Sequence, residues 1–174
     1  MPADRAEYAA LRHASRDWLQ PWEPLRAGGF DALASEDAFR IFVTDSKNER
    51  RQRYFVCDAA TGAIIGQVAL NEIIRGPLQQ AFLGYWIGKP FAGRGLMTEA
   101  LRLTLTFAFD SLQLHRVEAN IMPRNERSIA LIRRLGFRRE GYSPKYLEIG
   151  GIREDHERWA ILREEFGRVR GETD

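Results

Sequence analysis

The sequence predicts an α+β fold built on one mixed β-sheet, and three observations carry that expectation. Residues 52–87 hold three consecutive strand-like runs joined by short turns, which reads as a meander. Residues 97–109 then switch to helix period, with apolar side chains at Met97, Leu101, Leu105 and Ala108 on one stripe. Beyond residue 115 come an alternating strand, a short helix and two further strand runs. A meander followed by helix, strand, helix and two strands implies one sheet with both parallel and antiparallel neighbours.

Taken in order, residues 5–19 carry Tyr8, Leu11 and Leu19 at helical spacing, and Pro21 stops that helix. The stretch WLQPWEPL, residues 18–25, crowds two tryptophans and two prolines into one turn, either a hydrophobic plug or an aromatic wall of a cleft. Residues 31–48 read as a second helix with Leu33, Phe39, Ile41 and Phe42 on its apolar side. Strand residues 54–57, a turn at 58–62 and a long run from 63 to 74 form a hairpin, and Gly76-Pro77 leads into the strand at 80–87. In residues 115–122, Val117, Ala119 and Ile121 face one way while Arg116, Glu118 and Asn120 face the other. Residues 125–135 form a helix closed by Gly136, and strands follow at about 137–149 and 152–162.

Bulk properties bound the function. One domain over residues 1–174 is expected, with 164–174 a polar tail, and 44% apolar residues suffice for a core without metals or disulfides. The 26 basic residues are interspersed with 24 acidic ones, and the net charge of +2 argues against nucleic-acid binding. Cys57 is the one cysteine, which excludes an internal disulfide and fits a reducing cytosol. No stretch approaches the roughly 20 apolar residues that span a bilayer, so a cytoplasmic protein without membrane contact is expected. His13, His115 and His156 are scattered, and no metal site is expected.

Residues 84–108 organise the chain. A strand, the glycine-rich loop 88–95 and a helix start together make an anion site, since glycine lets backbone approach a ligand and free N–H groups point at it. A dinucleotide fingerprint does not fit, because the third glycine position is Thr98. A nucleoside-triphosphate loop does not fit either, because no Gly-Lys-Ser/Thr follows.

Residues 88–101 resemble the pyrophosphate-loop motif of the GNAT acetyltransferase superfamily, and Asn125-Glu126-Arg127-Ser128 with Arg134-Leu135-Gly136-Phe137 resembles its second hallmark. Trp22-Glu23-Pro24, Arg75-Gly76, Gly93-Arg94-Gly95-Leu96-Met97, His115-Arg116, Met122-Pro123, Glu140-Gly141-Tyr142 and Asp155-His156 resemble the RimJ branch, the ribosomal-protein-alanine N-acetyltransferases. The resemblance implies a mixed, strongly twisted sheet flanked by helices and splayed between the fourth and fifth family strands; the family's usual first strand is expected to be missing, or the start codon to be misassigned, since Met1 falls almost at the first helix. It implies acetyl-CoA (coenzyme A) as cofactor, its pantetheine arm held in the splay by Tyr85, Trp86 and Ile87. Gly93, Arg94, Gly95, Leu96, Met97 and Thr98 would hold the pyrophosphate, with Asn125, Ser128 and Arg134 further along. Asn125 also suits a helix N-cap. The chain departs from the family pattern at Pro90, where a basic or Gln residue often stands, and at Ile132, where many relatives carry a tyrosine that protonates the thiolate.

Acetyl transfer needs an uncharged amine and a stabilised oxyanion. Neutralising an α-amine at pH 7 costs less than neutralising a lysine by roughly 3.4 kcal/mol. A site without a strong base therefore suits a protein N-terminus. Glu118 is the expected base, with Asn120 beside it, although an ion pair with Arg116 accounts for Glu118 as well; Ser128 is a second catalytic candidate. The backbone N–H near Ile87 is the expected oxyanion donor, and Trp22, Glu23, Tyr142 and Tyr146 the expected acceptor site. The leading expectation is Nα-acetylation of a protein N-terminus, that of a ribosomal protein by resemblance, by a monomer or homodimer. The alternatives are acetylation of a small-molecule amine and a non-catalytic acyl-CoA-binding or ribosome-associated protein.

Overall fold

The structure is a computed structural model that describes residues 2–23, 39 and 48–170. The helix expected at residues 31–48 lies outside the described residues, apart from Phe39 and Asn48.

The meander forms as its turns direct. Strands β1 (Gln52–Cys57), β2 (Ile64–Ile74) and β3 (Gln80–Ile87) pair antiparallel in sequence order. Asp58 closes the first turn by accepting from the amides of Ala60 and Thr61 at 3.0 Å each. The chain then crosses the sheet through α3 (Leu96–Thr106), the helix numbered after α1 (Pro2–Ala14) and α2 (Arg16–Leu19). Helix α3 runs on into a wider π-helical turn at Phe107–Ser111, three residues short of the α-helix the periodicity predicts.

The crossover returns as β4 (Arg116–Ile121), parallel to β3. Helix α4 (Glu126–Arg134) follows, then β5 (Arg138–Ile149) and β6 (Ile152–Leu162), giving one six-stranded sheet in the order β1-β2-β3-β4-β6-β5.

One face of the sheet buries the main core. Met97, Leu101 and Leu105 of α3 meet Val117, Ala119 and Ile121 of β4 and Ile132 of α4. The opposite face is covered by α1, whose Tyr8 ring lies 5.5 Å from Phe55 and 5.7 Å from Trp86. Glu7 ties that helix to the sheet by accepting the Ile64 amide at 2.7 Å.

Two expectations need correction. The helix expected over residues 5–19 breaks at Ser15, which is fully buried; its hydroxyl accepts the amide of Lys89 at 3.1 Å, so the break ties the helix to the loop after β3. The tail expected at 164–174 is a helix, α5 (Arg163–Arg170), over most of its length. Phe166 is buried against Phe109 with ring centroids 5.6 Å apart, and one anchored aromatic suffices to dock an otherwise polar segment.

The feature that makes a site is a short parallel ladder. Strands β3 and β4 pair only at Gln80↔Arg116, Ala81↔Val117 and Phe82↔Glu118, and then part, while β4 stays on β6 as far as Ile121↔Glu157. This is the predicted splay.

Candidate functional site

The gap between the ends of β3 and β4 opens into a cleft of about 1010 Å³. Its first bank is the end of β3 and the loop that follows. Gly88 donates its amide to Ile65 of β2 at 2.8 Å. Because successive amides of a strand point to opposite sides, the N–H of Ile87 faces the gap, where no strand pairs with it. The carbonyl of Ile87 faces the same way and accepts the indole N–H of Trp18 at 3.1 Å.

The loop and helix start complete that bank. Among the described residues, the amides of residues 93–98 donate to no backbone carbonyl, and Gly93 and Gly95 hold left-handed φ of 76° and 80° beside open space. Consecutive unpaired N–H groups leading into a helix N-terminus form an anion-binding nest. Arg134 of α4 also lines the cleft. Backbone donors, a helix start and a guanidinium fit a diphosphate, so this donor set suits the coenzyme A expected from the sequence.

The second bank is the start of α4. Asn125 caps it, its side-chain oxygen accepting the Ser128 amide at 3.2 Å, and both residues also line the cleft. The Ser128 hydroxyl shares a short hydrogen bond with the hydroxyl of Tyr85. Burial pushes the Tyr85 phenol up to about 12, so it stays protonated over the whole range of ordinary assays.

The α1 face supplies the third wall. Arg12 is 4% exposed and makes two hydrogen bonds to Glu23, at 2.6 and 2.7 Å. Its guanidinium also lies 4.7 Å from the centre of the Trp86 ring. Trp18 and Trp22 carry Arg127 and Arg124 at 4.6 and 4.9 Å, so the turn between α2 and the cleft is an aromatic wall pinned to the start of α4. Of the cleft's charged lining, Arg12, Arg53, Lys89, Arg127 and Arg134 are cationic and Glu23 is the one carboxylate among the described residues.

The cleft thus gathers Trp22, Glu23, Trp86, Ile87, Gly93, Gly95, Leu96, Met97, Thr98, Asn125, Ser128 and Arg134. The other expected residues stand elsewhere. Glu118 lies in the paired part of β4, outside the cleft lining, and its carboxylate accepts Arg116 Nε at 2.7 Å. Arg116 also forks onto Glu140, so Glu118 belongs to a partly buried ion-pair cluster. Asn120, likewise outside the lining, donates to the Tyr146 hydroxyl at 3.4 Å. Arg94 is exposed and outside the lining, where its charge helps hold Asp58 below the usual carboxylate range, after that residue's bonds from Thr61. Tyr142 and Tyr146 are exposed on β5 rather than in the cleft; the Tyr142 hydroxyl donates to Asp155.

Sequence reasoning missed Arg12 and Asn71 as lining residues and named Tyr85 without its hydroxyl contact. Arg12 had a signal, standing four residues after Tyr8 and so on the same helix face.

Breaking the Arg12–Glu23 pair leaves a half-buried carboxylate without its partner. Arg12→Leu is expected to cost about 2–3 kcal/mol, a fall in melting temperature of about 4–12 °C. Thermal denaturation checks this, with Arg12→Leu/Glu23→Leu recovering most of the loss; a double variant no more stable than the single one would count against the pair.

Comparison with known proteins places this geometry. Residues 1–138 match the family described as "Acetyltransferase (GNAT) domain". The chain is 38% identical over 161 residues to "Probable N-acetyltransferase YjcK" of Bacillus subtilis (strain 168), covering 91% of this chain and 88% of that protein. It is 36% identical over 150 residues to "[Ribosomal protein uS5]-alanine N-acetyltransferase" of Escherichia coli (strain K12), covering 86% and 75% of the two chains. Among solved structures it resembles "Mycobacterium smegmatis RimJ in complex with CoA-disulfide", with a TM-score of 0.85 and 32% identity over 94% of this chain and 79% of that one.

Proposed function

The chain belongs to the GNAT acetyltransferase family, and from that premise we propose that it moves an acetyl group from acetyl-coenzyme A to the α-amino group of a protein N-terminus. A ribosomal protein is the favoured acceptor, supported by the Escherichia coli relative's name. Coenzyme A as the donor's carrier is supported by the Mycobacterium smegmatis complex and by the unpaired amides of residues 93–98.

The observation that carries the α-amine reading is the cleft wall, whose one described carboxylate, Glu23, already receives two hydrogen bonds from Arg12. A polyamine would need free carboxylates to hold its ammonium groups, and a lysine would need a strong base. An α-amine needs neither. With a reference pKa of 7.7–8.0, about a tenth of it is uncharged at pH 7 without help, against well under a thousandth of a lysine.

The bound donor supplies an activated thioester acyl group. The chain's own residues do the rest. The amides of residues 93–98 and Arg134 bind phosphate oxygens. The Ile87 N–H donates to the developing oxyanion at the splay. Ser128, polarised by the Tyr85 hydroxyl, presents a hydroxyl to the departing sulfur or to a water. Trp22, Trp86 and Glu23 line the acceptor's approach. Proton removal from the amine is left to solvent, because Glu118 is committed to Arg116.

A thiol-release assay tests the proposal by pairing an Ala- or Ser-initiated peptide with its N-blocked, lysine-containing twin. Turnover of the first alone is expected, rising between pH 7 and 8.5 as the α-amine loses its proton; equal turnover of both would sink it. Glu118→Gln is expected to stay within about threefold of wild type across that range, because the carboxylate is bonded to Arg116 and lies outside the cleft lining. A loss beyond tenfold would restore Glu118 to the mechanism.

A further inference from the structure

Strand β2 leaves its ladder just past Asn71. Pairing with β3 is regular from Gly66↔Ile87 to Asn71↔Phe82, and shifts before Ile74↔Gln80. Glu72 inside that irregularity holds φ of 47°, a left-handed value uncommon for a residue with a side chain. Bulges next to active sites serve to re-aim a neighbouring side chain. Here the neighbour is Asn71, which lines the cleft, with Ala69 and Gly84 beside it.

Gly84 leaves room for that orientation. A β-carbon on Gly84 would stand 3.2 Å from Asn71 Nδ2, so the amide lies across the space the glycine leaves open. Asn71 is also level with the fork of the sheet, since its partner Phe82 pairs in turn with Glu118, the last parallel pair before β3 and β4 part. It lies on the α1 face, the side of Trp86, Arg12 and Glu23.

Two polar pairs on that face are matched to each other. Tyr8 donates to Gln67 at 3.4 Å, and Arg12 holds Glu23. The side chain of Asn71 is half-buried and makes no hydrogen bond with any described residue. Its amide atoms stay open to the cleft, so a ligand can take the hydrogen bonds that solvent otherwise makes there. Asparagine offers both a carbonyl and an NH₂, the complement of one peptide unit. An ammonium group, which only donates, would use half of it.

We infer that Asn71 binds the first peptide unit of the acceptor, the one next to the reacting amine, and so selects a peptide terminus over a bare amine. This rests on the α-amine reading above. The contact is made to the acceptor and not to the donor, so it acts on one substrate only.

The test uses the full chain, with an Ala-initiated peptide and L-alaninol, which keeps the amine and methyl group but has no peptide unit. Wild-type protein is expected to use alaninol at least tenfold less efficiently than the peptide. Asn71→Ala is expected to raise the peptide KM about tenfold, the loss of one or two hydrogen bonds. The KM for acetyl-CoA, the melting temperature and turnover of alaninol should stay as in wild type, and Asn71→Ser should give a smaller rise. An unchanged peptide KM in both variants, or an equal penalty on peptide and alaninol, would overturn the inference. Wild-type protein that acetylates only lysine side chains would instead overturn the α-amine reading, and this inference with it.

Discussion

Gly66→Ala is expected to cost about 3 kcal/mol of stability and most of the acetyl-transfer activity, for the addition of one methyl group. The added carbon would stand 2.4 Å from the carbonyl oxygen of Trp86 and 3.1 Å from the Cα of Ile87. Both are backbone atoms of the neighbouring strand, so no side-chain rotation relieves the clash. Overpacking of a tight site costs about 1–3 kcal/mol and occasionally more, and rigid neighbours put this case at the upper end. Relief requires the end of β3 to move, and that end carries the Ile87 amide facing the gap. A fall of about 6–12 °C in melting temperature should accompany a raised KM for acetyl-CoA. Melting within a degree of wild type would show that the strand yields freely.

The second large effect is expected at Gly95. Gly95→Val places a β-branched residue at φ of 80°, and the side chain enters open space at the helix start, with no protein atom within 4 Å of its first carbon. Backbone strain of about 1–3 kcal/mol follows from the left-handed conformation. The loss of the anion nest comes on top, so the KM for acetyl-CoA should rise about thirtyfold or more. Gly62→Val separates the two contributions. Gly62 has φ of 73° and equally open surroundings, but lies in the β1–β2 turn away from the cleft. It should show comparable strain in a melt and an unchanged KM. Matching KM values for the two variants would mean that residues 93–98 do not hold the donor.

The contrast between these glycines shows where sequence is informative. The left-handed turn before α3 is legible because glycine spacing and a helix start are local features. So are the bounds of β3, the alternation of β4 and the Asn125 cap. The role of Gly66 is not legible, because its constraint comes from a neighbouring strand, at Trp86 and Ile87, far from it in sequence. Glu118 illustrates the same limit. Alternation correctly puts it on the polar face of β4, but which part of β4 is splayed depends on a parallel ladder only three pairs long. Arg12 and Glu23 meet through the break at Ser15 and the turn that follows it, which periodicity cannot foresee. Phe166 is one apolar residue in a polar segment, too little for a pattern yet enough for a buried anchor.

The stacking of arginine on tryptophan has a consequence for how the protein responds to light. All four tryptophans lie under a guanidinium, Trp159 beneath Arg133 at 5.0 Å like the three of the cleft. Indole emission follows the electric field and hydration around the ring, and three of the four rings line the cleft while Trp159 is buried in the core. An anionic donor settling between Arg127 and Arg134 changes the field at those three rings and leaves the fourth as an internal reference. The chain therefore carries its own fluorescent reporter, able to register occupancy of the cleft in the unlabelled protein before any acetyl group has moved.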